Sequence, residues 1–183
     1  MRQYLVFPIF CFFYSCQSVS QETRTVLLPN KDILVKNDIL FFKLKKFNGT
    51  LIQLKDNSTD TLLCQTYRNG KMDGMSKKWY PNKQLMEYRQ YKQGKKEGKQ
   101  IAYWPNGFKR FEFTAIKDMY QGELREWTDK GKLFHLATFK DGQEEGTQKM
   151  WYENGKIRAN YFIKNGRRFG LLGTKNCMNV SDS

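Results

Sequence analysis

Residues 67–85, YRNGKMDGMSKKWYPNKQL, return 24 positions later as YKQGKKEGKQIAYWPNGFK (91–109) and again, more loosely, as FKDGQEEGTQKMWYENGKI (139–157). The recurrence is exact in spacing. Gly74, Gly98, Gly122, Gly146 and Gly170 fall at intervals of 24 with no insertion between them, and so do Trp79, Tyr103, Trp127 and Trp151. Tyr80, Trp104, Thr128 and Tyr152 form the adjoining column, and Gly70, Gly94, Gly142 and Gly166 another, in which Asp118 replaces glycine. The third unit is degenerate, with Ala115 where Tyr67, Tyr91, Phe139 and Ile163 stand in the others. A fixed period of this length identifies a repeat architecture, and neighbouring units must supply one another's packing.

Within one unit the punctuation predicts strands. A glycine-bearing turn recurs about every 12 residues, which leaves segments of strand length, too short for a stable helix. Residues 75–80 read as one strand, 81–84 as a turn, 85–91 as a second strand and 92–98 as a longer connection. Asn-Gly pairs in the turns tolerate the positive φ that tight hairpins demand. The expected fold is all-β: an elongated, single, meandering antiparallel sheet of stacked hairpins. Alternation along a strand would put the Trp79 column on one face and the Tyr80 column on the other, with each ring stacked on its equivalent in the next unit.

The flanks divide the chain further. Residues 26–66 read as an N-terminal cap with an irregular first unit, in which Phe47-Asn48-Gly49 and Leu51 to Leu54 echo the repeat with an offset of one. Residues 67–170 hold the regular repeats, and 171–183 read as a C-terminal cap and tail, with Leu171 and Leu172 covering the far edge. Residues 16–25 are polar, as a tether would be. Residues 1–15 carry Arg2 and then the apolar run Tyr4 to Tyr14, the length of a signal-peptide core and too short to span a bilayer.

That run ends in Ser15-Cys16, which resembles the lipobox of bacterial lipoproteins, although Phe13 and Tyr14 replace its usual Leu and small residue. The resemblance implies lipid attachment at Cys16 and a membrane-anchored protein of the cell envelope. The alternatives are cleavage near Ser18 or Ser20, an uncleaved anchor, and a cytosolic chain. Cys64 and Cys177 flank the array on the order of 50 Å apart at the strand spacing of a sheet, too far for a disulfide unless the array or tail folds back.

Thirty-two Lys and Arg against eighteen Asp and Glu give a net charge of +14, which favours acidic partners. Lys71, Lys95, Lys96, Arg167 and Arg168 occupy equivalent loops, which stacking is expected to bring to one edge of the array as a stripe, and are the candidate anion- or partner-binding residues, while Lys77, Lys78, Arg125 and Lys149 decorate first strands. Lysine at edges also keeps sheets soluble and unpaired, the simpler reason for its presence. Aromatics among cations resemble platforms for single-stranded nucleic acid, but the period gives the rings a structural cause and export disfavours that partner.

Chemistry is expected to be absent. His135 is the lone histidine and has no paired Ser, Cys or Asp motif; Glu97, Glu144 and Glu145 read as solvated loop charges. No phosphate-cradling glycine motif precedes a helix, and no metal-ligand spacing is present, so neither cofactor nor metal is expected.

The unit Y-x-x-G-K-x-x-G-x-x-x-x-W-Y-x-N-G-x-L, from Tyr67 to Leu85 and with substitutions from Phe139 to Ile157, resembles the bacterial variant of the membrane occupation and recognition nexus (MORN) repeat over about residues 47–170. The resemblance implies a hairpin array that serves binding or assembly, with proposed attachment to membranes or phospholipids, and in some bacterial members an antitoxin-like role. The reading is a non-catalytic binding or assembly module of the envelope, whose partner is a protein or an anionic surface of lipid or glycan. The alternative is a cytosolic antitoxin-like protein that binds a toxin.

Overall fold

The computed structural model describes residues 24–171, so the signal-peptide reading, Cys16 and the tail from 172 lie outside the described residues. Fifteen strands follow one another among them, with no helix between. The N-terminal part holds β1 (Arg24–Leu28), β2 (Ile33–Lys36), β3 (Ile39–Phe42), β4 (Lys45–Lys46), β5 (Gly49–Leu54) and β6 (Thr61–Arg68). The regular units supply β7 (Lys71–Trp79), β8 (Leu85–Lys92), β9 (Lys95–Tyr103), β10 (Lys109–Ile116) and β11 (Met119–Trp127). They continue with β12 (Leu133–Lys140), β13 (Gln143–Trp151), β14 (Ile157–Lys164) and β15 (Arg167–Leu171). From β5 to β15 every strand pairs antiparallel with the next, which is the meander the period predicts. β1 adds a parallel partner to β5, and its first residues, Arg24 and Thr25, fall where composition reads a tether.

The two edges of the array differ. On one, adjoining strands are joined by two-residue turns: Asn69-Gly70, Gln93-Gly94, Lys117-Asp118, Asp141-Gly142 and Asn165-Gly166, all with positive φ at both positions. These are the mirror-image turns whose twist suits a hairpin. The expected long connection over 92–98 is therefore only Gln93-Gly94, and Lys95 to Gly98 already belong to β9. Gly98 has φ +91° and sits in a bulge, where Gln90 alone faces Glu97, Gly98 and Lys99. A Cβ on Gly98 would overlap Gln90 Oε1, which accepts the Lys99 N–H at 2.7 Å. The repeat glycine thus marks a bulge, and a different glycine column marks the turn.

The other edge carries five-residue loops, 80–84, 104–108, 128–132 and 152–156. Each is closed by the N–H of its first residue on the carbonyl of its last, as from Trp104 to Phe108 at 2.8 Å. Tyr80 and Trp104 are consequently loop residues and do not point from the strand's second face. Their polar ring atoms reach forward one unit, Tyr80 OH to the Tyr103 carbonyl at 3.0 Å and Trp104 Nε1 to the Trp127 carbonyl at 3.0 Å.

The cap packs against the first unit through a small apolar core of Val26, Leu40, Phe47 and Leu51, joined by Leu28, Ile33, Phe42 and Tyr67. The three-stranded sheet β2–β3–β4 supplies part of it. Burial pushes the Tyr67 phenol up from its usual range, and its hydroxyl donates to Gln65 Oε1 at 3.0 Å.

Candidate binding face

Pairing assigns every array side chain to a face. Ser76 pairs with Arg89, Arg89 with Gln100 and Gln100 with Phe113; further along, Leu124 pairs with Ala137, Ala137 with Gln148 and Gln148 with Tyr161. All of these lie on one face. The fully buried residues of the repeats, Ser76, Gln100, Ala102, Ala115, Leu124, Ala137, Gln148, Ala159 and Ile163, share it. This covered face packs small side chains under rings. Phe113 and Tyr120 lie 4.5 Å apart between centroids, and Tyr120 and Phe139 4.9 Å. Tyr120 pairs with Ala115, so the third unit makes up with a neighbouring ring the one it lacks.

The opposite face is open. Its central row runs Lys77, Tyr88, Ile101, Glu112, Arg125, Leu136, Lys149 and Asn160, none of them buried. Trp79, Tyr103, Trp127 and Trp151, two positions beyond the central row on the same strands, extend it toward the five-residue loops and are half-buried. The expected ring-on-ring stacking of this column does not form: among the described residues, no ring pair in contact joins equivalent positions of neighbouring units. Equivalent strands are two apart, about 9.6 Å at the strand spacing of a sheet, and the strand between them keeps the rings separate.

Cations lie over rings along this side of the array. Lys109 pairs with Tyr103 and holds its ammonium 5.5 Å over the Trp127 ring, and Lys77 lies 6.0 Å over Tyr88. Arg110 stacks on Trp104 at 4.9 Å. Arg125 is engaged by Glu112 at 3.4 Å and by Glu123. Burial works to raise the Glu112 carboxyl, yet Lys109 at 2.7 Å and Arg125 outweigh it and hold the group below its ordinary range. Lys77, Arg110, Lys149 and Arg158 have no carboxylate partner among the described residues.

The five cations singled out from sequence sit elsewhere. Lys71, Lys95 and Lys96 open β7 and β9 beside the two-residue turns, and Arg167 and Arg168 open β15, six strands beyond β9. Met119, Tyr120, Gln143 and Glu144 occupy the equivalent positions between, so the five form two groups and not a continuous stripe. The acids near this edge have definite work. Asp73, Glu97 and Glu145 accept the first N–H of the next turn, from Gln93, Lys117 and Asn165, and Gln121 does the same for Asp141. The column 73, 97, 121, 145 was visible in the repeat as Asp, Glu, Gln, Glu, all side-chain acceptors. His135 Nδ1 donates to Glu126 Oε2 at 2.7 Å on the covered face.

Residues 72–93 and 144–165 match the family described as MORN repeat variant. No curated protein matches the chain. Among solved structures the chain is similar to a mutant of S. aureus TarM crystallised with Fondaparinux, alpha-GlcNAc-glycerol and UDP, at 13% identity and a TM-score of 0.32, over 54% of this chain and 20% of that one. The two matched segments occupy equivalent places in the first and fourth units, β7 to the turn after β8 and β13 to the turn after β14. The chain carries repeats of the MORN variant at these two places.

Proposed function

We infer that this protein is a non-catalytic binding or assembly module of the bacterial cell envelope, anchored by lipid on Cys16, which presents its repeat array to a partner. The observation that supports the binding role is the division of the sheet. Burial in the repeats is concentrated on one face, and the other carries half-buried rings and cations, of which Lys77 and Lys149 have no carboxylate partner among the described residues. The anchor rests on the apolar run ending at Ser15-Cys16, and the polar residues before Arg24 supply a spacer. A surface of this kind recognises by area and charge and asks for no reacting group.

Metabolic labelling of cells with a fatty-acid probe, followed by membrane fractionation, tests it. The native protein takes up label and sediments with membranes, and Cys16→Ala abolishes both. A full-length chain beginning at Met1 and recovered unlabelled from the cytosol overturns the envelope assignment and returns the antitoxin-like reading.

A further inference from the structure

The open face has a periodicity that narrows its ligand. We propose that it seats a linear acidic polysaccharide that alternates a uronate with a neutral amino sugar and so carries one carboxylate per disaccharide. This rests on the binding-module reading and names the ligand of that face.

Trp79, Tyr103, Trp127 and Trp151 occur once per unit, two strands apart, so the row offers one ring about every 9.6 Å. The disaccharide of an extended β-linked glycan repeats on that same length scale. Lys77 and Lys149 stand two positions before Trp79 and Trp151 on the same strand face and have no carboxylate partner among the described residues. Arg125, two positions before Trp127, and Lys109, which pairs with Tyr103 and holds its ammonium over Trp127, share Glu112. One ring per unit offers one apolar platform per disaccharide, and Lys77 and Lys149 toward the two ends of the row each offer a partner for a carboxylate. Indole and phenol rings present large apolar area to a sugar face, and a cation beside them pairs with the acid group.

The surface between the second and third units deepens into an open groove of about 530 Å³ lined by Trp104, Pro105, Phe134 and the loop residues Asn106, Thr128 and Asp129. The four rings are half-buried between neighbours and do not project as inserting tips, which suits a chain laid along them better than a bilayer. Charge agrees as well. Around the row Lys77, Lys109, Arg110, Arg125, Lys149 and Arg158 stand against the carboxylates of Glu112 and Glu123.

The test is titration of the full-length protein with hyaluronan oligosaccharides of increasing length, read by tryptophan fluorescence and calorimetry. Affinity is expected to rise with length until four disaccharides span the four rings and then to level off, while chitin oligosaccharides of equal length bind more weakly. Lys77→Glu combined with Lys149→Glu weakens binding about tenfold with an unchanged circular dichroism spectrum. Equal affinity of that variant, absence of any binding, or binding to anionic vesicles or single-stranded DNA in place of the oligosaccharide overturns the proposal. The titration needs no anchor. Its failure with Cys16 still labelled removes the glycan and leaves the envelope module, whereas loss of labelling with binding retained does the reverse.

Discussion

In the cap, Val26, Leu40, Phe47 and Leu51 close on one another as a small apolar core, whereas in the repeats the most completely buried side chains are Ala115, Ala137, Gln100 and Gln148. The cap is held as a globular domain is held, by large side chains withdrawn from water. The repeats are held by register. Gln100 and Gln148 donate to the carbonyls of Gln90 and Thr138 inside the bulges and leave their own Oε1 atoms unpaired, a cost of about 1–3 kcal/mol each that the bulge contacts offset. Each turn is tied to the previous unit through a side chain such as Glu97, and the first four also through a main-chain bond such as Asp118 N to Lys96 O at 3.0 Å. Two regions of one sheet therefore respond differently to the loss of a side chain.

The largest effect belongs to the cap. Phe47→Ala, at a residue 2% exposed that packs on Tyr67, is expected to cost about 4 kcal/mol in urea unfolding. Because repeats interact with nearest neighbours, hydrogen exchange should accelerate in β1, β5 and β6 and stay unchanged in β13 and β14. Uniform acceleration along the chain would break the distinction between cap and array. Gly98→Ala, which forces a Cβ onto Gln90 at positive φ, should cost about 2 kcal/mol. Its effect should be centred on β8–β9, and a neutral result would show that the bulge is not obligatory. The smallest effect is at the ties. Glu97→Ala should cost about 1 kcal/mol and expose the Lys117 amide to exchange, while Glu97→Gln keeps most of the bond, as Gln121 does naturally at the equivalent position.

The hairpins and the meander were legible in the sequence because the period of 24 and the Asn-Gly pairs report backbone geometry directly. Register was less so. Gly94 and Gly98 look alike in a string of letters, yet one turns the chain and the other makes room for Gln90. That confusion lengthened the connection over 92–98 and misplaced Lys95 and Lys96 in a loop. The Trp79 column was recognised, but whether rings touch depends on the strand between them, which a single-unit pattern does not contain. The two groups of cations at Lys71, Lys95 and Lys96 and at Arg167 and Arg168 had the same cause, since equivalence of position was read without counting the units that interrupt it.

The acceptor column also gives the array a direction. Asn48 holds Asn69, Asp73 holds Gln93, and the same donation is passed forward to Asn165. A 24-residue segment copied in tandem would carry its own acceptor for the turn after it and its own amide for the acceptor before it. Lengthening by duplication is therefore self-templating in this chain, and a copy of any other length would break the succession at its seam. Phe169 stands next in that column and offers no oxygen, so the succession is not handed on beyond it in this way.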